Sequence, residues 1–156
     1  MAGPPAASTP VLPPSPVMAS APPRPVDEET RAKTQIESLV KEYCAALEAM
    51  HPAAILRMMP SVSPEAVQKR LGGYKSVKCT VTLPAEFDRL DIDAGGSGHA
   101  RLRFRMREEY VLREEFVLQA GRPSLSSDGI ALMIASRSDR TGPWVINSLV
   151  HESTRR

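Results

Sequence analysis

Five side chains in this 156-residue sequence have the chemistry to move a proton from positions that a fold can turn inward: Tyr43, His51, Asp91, Tyr110 and His151. A histidine or a carboxylate can serve as a general base, and a tyrosine hydroxyl can donate to an oxyanion as charge develops on a substrate. Spacing does not tie any two of them into one site. Each also has a structural role open to it: Tyr43 falls on an apolar helix face, His51 stands at a helix junction where its ring can cap, and Asp91 precedes a turn. Tyr43, His51 and Asp91 are the candidates for catalytic work.

The two cysteines, Cys44 and Cys79, do not make a disulfide framework, and no Cys/His spacing resembles a zinc site. No metal and no other cofactor is expected, and a reducing cytoplasm is the expected compartment. Arg101, Arg103, Arg105 and Arg107 recur at period two, which lines guanidiniums along one face of a strand. Polyanion binding is one use of such a ladder, but acidic residues follow directly and no aromatics are interleaved for base stacking. A solvated face with carboxylates opposite, or an interface to another protein or a second copy, fits better than nucleic acid. Net charge is +2, which gives no global bias toward a polyanion.

These residues need elements to hold them. Asp27 is placed to cap a helix that runs to about Met50, with Ile36, Leu39, Val40, Tyr43, Leu47 and Met50 at steps of three and four on a buried face. Lys33, Glu37, Lys41 and Glu48 fall on the opposite face. His51-Pro52 and Ser63-Pro64-Glu65 each start a further short helix, over Ala54–Met59 and Glu65–Leu71. From Tyr74 the period becomes two: Val77, Cys79, Val81 and Leu83 alternate with polar residues in a strand that Pro84 ends. A short strand over Phe87–Asp93, a glycine turn, and a strand from His99 to about Tyr110 follow. Val111–Gln119 either extends that strand or turns back. After a loop over 120–128, strands Ile130–Ser136 and Trp144–Val150 close the chain. Helices that precede an antiparallel sheet make an α+β domain.

The phrase Ile36-x-x-Leu39-Val40-x-x-Tyr43-Cys44-x-Ala46-Leu47-Glu48-Ala49, then Pro52-Ala53-Ala54-Ile55, and the late Trp144-Val145-Ile146-x-x-Leu149 resemble the nuclear transport factor 2-like superfamily. That superfamily includes ketosteroid isomerase-like and polyketide cyclase-like proteins. The resemblance covers residues 30 to 150. It implies a strongly curved antiparallel sheet wrapped around the helices and a conical apolar pocket, lined here by Tyr43, Leu47, Met58, Met59, Phe104 and Trp144. It also implies a dimer through the outer sheet face, where Arg101, Arg103, Arg105 and Arg107 would lie. Related sequences often carry an aspartate where His51 stands, so no acid-base role transfers residue by residue.

Prolines mark a boundary. Nine of the 15 prolines fall in the first 26 residues, which hold one charge, Arg24, and no aromatic residue. Such a segment cannot bury enough apolar surface to offset ordering at about 1–2 kcal/mol per residue. Residues 1–26 are therefore expected to be a disordered tail or linker, and 27–156 one domain. Eight prolines among residues 2–23 also break any membrane helix there. The expected function is a non-enzymatic binding or assembly module, dimeric and tethered by its tail, with a module of a larger protein as the expected setting. A small isomerase- or cyclase-type enzyme and a sensor of a small apolar ligand are the alternatives.

Overall fold

Proline at a first helical turn and a polar side chain just before it start the second and third helices where the sequence places them. The computed structural model describes residues 25–155. Helices α1 (Pro25–Glu48), α2 (Pro52–Met58) and α3 (Pro64–Gly72) come first, then strands β1 (Tyr74–Ile92) and β2 (Gly98–Leu112), helix α4 (Glu114–Ala120), and strands β3 (Ser124–Arg137) and β4 (Val145–Arg155). The His51 ring accepts a hydrogen bond from the Ala54 amide, and the Ser63 hydroxyl accepts one from Ala66. Each satisfies an N–H that the first turn leaves without an intrahelical partner. The first helix begins at Pro25, so Asp27 lies within its first turn rather than capping it. The tail expected over residues 1–26 falls outside the described residues, except for the start of α1.

The four strands form one antiparallel meander in the order β1-β2-β3-β4. β2 alternates strictly, with Ala100, Leu102, Phe104, Met106, Glu108, Tyr110 and Leu112 buried. That row packs with Ile36, Val40, Tyr43 and Leu47 of α1, and with Met133 and Ile146 of the later strands, in one hydrophobic core. A helix layer thus covers one face of a four-stranded sheet, the α+β arrangement expected.

Three local expectations are corrected. Pro84 does not end β1; the strand runs on to Ile92, and the register with β2 slips between Thr82 and Glu86. The Ala85 amide there donates to Glu37 Oε2 at 2.8 Å, and the Cys79 amide donates to Glu48 Oε1 at 3.3 Å. Both glutamates, read from spacing as part of a solvated face, instead satisfy N–H groups on the free edge of β1, which would otherwise invite a foreign strand. The segment after Tyr110 is both strand and helix: β2 extends to Leu112, and α4 is closed by Gly121 at φ 74°, a left-handed C-cap that glycine adopts without a Cβ clash.

Cys44 and Cys79 form a disulfide, with Cα atoms 5.2 Å apart, that pins α1 to β1. The sequence reads as offering no disulfide framework, but the buried side of α1 and the inward row of β1 bring the two cysteines together. Disulfides persist in oxidising compartments, so the ground for expecting a reducing cytoplasm is removed. Among the described residues no helix is long and apolar enough to cross a membrane.

Candidate functional site

Toward its end the inward row of β2 carries two polar residues, Glu108 and Tyr110, and these face Arg70 from α3. The Arg70 guanidinium donates to Tyr43 hydroxyl at 3.3 Å, to Glu108 Oε2 at 3.3 Å and to Tyr110 hydroxyl at 3.1 Å. Tyr74, at the start of β1, packs its ring on Tyr110 with centroids 4.5 Å apart. On the other side of Glu108, His151 of β4 places Nδ1 3.2 Å from Oε1 and 3.0 Å from Ser127 Oγ. Its Nε2 is 3.0 Å from the Met106 carbonyl. That contact spans β3, where Met106 pairs in register with Gly129 and His151 with Ala131.

The Met106 carbonyl fixes one proton in this cluster. A carbonyl only accepts, so Nε2 carries hydrogen. The contact between Nδ1 and Oε1 is then attractive only when one proton lies between them. Nδ1 also meets the Ser127 hydroxyl, so the ring links that serine to the Glu108 carboxyl. Burial pushes the Glu108 carboxyl above its usual range, opposed by the charges of Arg70 and His151. Burial likewise raises the Tyr43 phenol, against the Arg70 charge that favours its ionised form. Ser127, His151 and Glu108 do not form a nucleophilic triad: serine and carboxylate share one ring nitrogen, whereas a triad needs the serine on the nitrogen opposite the carboxylate.

Of the five proton-active residues named from the sequence, Tyr43, Tyr110 and His151 come together here. His51 is a cap, and Asp91 is an exposed partner of Arg89 at 2.6 Å. Arg70, Glu108 and Ser127 were not singled out. The parity of β2 was the available signal for Glu108, since it shares the row of Phe104 and Met106.

The residues expected to line one pocket divide among three places. Tyr43, Leu47 and Met59 line a cavity of about 140 Å³ between α1, α2 and α3, which Arg70 also borders. Met58 and Trp144 border an open groove of about 740 Å³ on the outer side of α1, with His51 and Ala49. Phe104 is buried in the core between helices and sheet. Trp144 lies so close to Gly98 that a Cβ there would meet its ring at 2.5 Å, and Arg137 stacks on the indole at 5.1 Å.

On the outer face, Arg103 pairs with Glu86 and Asp88, Arg105 with Asp128, and Arg107 with Glu109. These pairs discharge most of the ladder. The hydrogen bond from Arg105 holds the Asp128 carboxyl below its ordinary range. Among the described residues no group of three or more His, Cys, Asp or Glu is placed to hold a metal.

Helices on one face of a curved four-stranded meander match solved structures along most of their length. An NTF2-like superfamily protein from Salmonella enterica serovar Typhimurium LT2 superimposes with a TM-score of 0.61 at 10% identity, covering 82% of this chain and 94% of that one. The chain has the nuclear transport factor 2-like fold. A candidate scytalone dehydratase from Novosphingobium aromaticivorans shares this fold with a TM-score of 0.61 at 14% identity, over 83% and 88% of the two chains. A type 2 hexachlorocyclohexane dehydrochlorinase, LinA, shares it with a TM-score of 0.53 at 12% identity, over 83% and 91%. No family model matches the sequence, and no curated protein matches it. At these identities the nuclear transport factor 2-like likeness concerns the fold and not the chemistry.

Proposed function

We propose that this nuclear transport factor 2-like domain is a non-enzymatic binding or assembly module that pairs with a second copy through the outer face of its sheet. One observation carries the reading. Ile130, Ile134 and Val150 leave 42%, 43% and 54% of their surface exposed on that face, and Leu132 joins them as the register partner of Val150. Such a strip on β3 and β4 is a reason for a partner. Arg101, Arg103 and Arg105 stand beside it on β2, opposite Ile134, Leu132 and Ile130, while Glu152 borders it on β4. A patch with both charge signs at its rim suits a two-fold contact, in which each residue meets its counterpart's neighbours. The proline-rich first 26 residues would serve as the tether.

Sedimentation velocity of the full chain at micromolar concentration tests this. A species of twice 17.0 kDa is expected, and Ile134→Asp and Val150→Asp should return it to monomer with unchanged circular dichroism. A wild-type monomer, or a dimer indifferent to both substitutions, overturns the reading.

A second reading is an enzyme of the isomerase or cyclase type, and the Glu108–His151 contact favours it, since a carboxyl and an imidazole at 3.2 Å can exchange a proton. Two of the proteins similar in fold carry names that denote loss of water or of hydrogen chloride. Against it, both Glu108 oxygens and both His151 ring nitrogens already have partners within the protein. Proton-transfer turnover that vanishes in Glu108→Gln while the fold persists would establish the enzyme and displace the first reading.

A further inference from the structure

We infer that the cavity between α1, α2 and α3 binds a small monocarboxylate, with the carboxylate on Arg70 at its mouth and a short aliphatic or single-ring body enclosed below. This site is independent of the sheet face discussed above. The cavity lies among the three helices, and Tyr43, Leu47 and Ile55 of the hydrophobic core form part of its wall. Leu47, Ile55, Met59, Val67 and Leu71 line it, and its volume is about 140 Å³. An apolar cavity of about 150 Å³ is known to stay dry and accept benzene, so the space suits a body of about six carbons and excludes a larger ligand.

The polar end is as specific as the apolar one. Ala66 and Arg70 are exposed and one helical turn apart on α3, and both border the cavity. They form its rim, and the Arg70 side chain keeps 49% of its surface accessible. Three of its five N–H groups are used on Tyr43, Glu108 and Tyr110, which leaves two for a ligand. Charge points the same way. Glu108 gives one oxygen to Arg70 and the other to His151, and the half of the Arg70 side chain that stays exposed presents its positive charge at the mouth. A carboxylate would cancel it through charge-assisted hydrogen bonds, whereas an amine would be repelled and a neutral amide would gain less.

Benzoate is the probe, with benzamide as its uncharged counterpart, titrated into the full chain while isotope-edited NMR follows methyl groups. Saturable one-to-one binding is expected with a Kd of about 1 mM or tighter, with the Ile55, Met59 and Val67 methyls shifting most. Benzamide should bind at least about tenfold more weakly. Arg70→Gln should abolish the preference for the acid. Because Arg70 also holds Glu108, a second variant separates binding from folding: Ala66→Phe closes the rim without touching that network, and should weaken benzoate at least about tenfold at unchanged thermal stability. The proposal is overturned if benzoate fails to saturate by about 10 mM, if the largest shifts fall elsewhere, if benzamide binds equally well, or if Ala66→Phe binds like the wild type.

Discussion

Replacing Arg70 with methionine keeps most of the aliphatic stem and removes the guanidinium that joins Tyr43, Glu108 and Tyr110. Three hydrogen bonds are lost, one of them to a carboxylate that is 4% exposed. A hydrogen bond to a charged group is worth about 1.5–3 kcal/mol when desolvated, but the guanidinium is half exposed and water takes over part of its work. The net cost is therefore about 1–3 kcal/mol, or a fall of roughly 3–10 °C in Tm for a domain of this size. The pH dependence is the sharper signature. Burial raises the Glu108 carboxyl in the folded state while Arg70 and His151 oppose the shift. A raised folded pKa means that the contribution of Glu108 is fully present below the unfolded value and is lost as pH rises through the folded one. Without Arg70 the carboxyl rises further, so the variant loses more than the wild type over that window. Urea unfolding at pH about 4 and about 7 should show a small penalty in acid that grows toward neutrality. A penalty equal at both pH values would mean that Arg70 contributes only packing, and would refute the electrostatic account of the cluster.

Other outcomes follow from particular contacts. Reduction, or Cys44→Ser with Cys79→Ser, should cost about 2–4 kcal/mol in equilibrium unfolding, and intact-mass measurement under native oxidising conditions should find no alkylatable thiol; two free thiols there would contradict the bond. Absorbance titration should show the Tyr43 phenol ionising above the ordinary tyrosine value, because burial disfavours phenolate, and Tyr43→Phe should delete that late component. Carboxyl NMR should place Asp128 below an ordinary aspartate, so its contribution is present above the unfolded pKa and fades as pH falls through the folded one. Arg105→Gln should return that resonance to the usual range, and an unmoved titration would contradict the pairing.

Local chemistry made much of the scaffold readable. Proline after a capping residue located α2 and α3, the apolar spacing gave the buried face of α1, and strict alternation revealed which residues of β2 point inward. Features set by distant partners were less accessible. Pro84 reads as a strand breaker unless Glu37 is known to satisfy the neighbouring amide, and α4 has seven residues, too few for helical periodicity to stand out. Cys44 and Cys79 lie 35 residues apart, so their pairing depends on how α1 lies against β1. The cluster shows both cases. Tyr43, Tyr110 and His151 could be named as inward candidates, and the parity of β2 implied Glu108, which was instead grouped with the acidic residues after the arginines. Arg70 is 38 residues from Glu108 on a helix whose orientation no local pattern reveals.

The claim that the outer sheet face joins two copies is tested most directly by NMR on a mixed sample, half isotope-labelled and half unlabelled, filtered for contacts between molecules. The account predicts intermolecular contacts from the Ile130, Ile134 and Val150 methyls that disappear in Val150→Asp. An absence of such contacts at a concentration where sedimentation finds a dimer, or contacts confined to the helices, would contradict it.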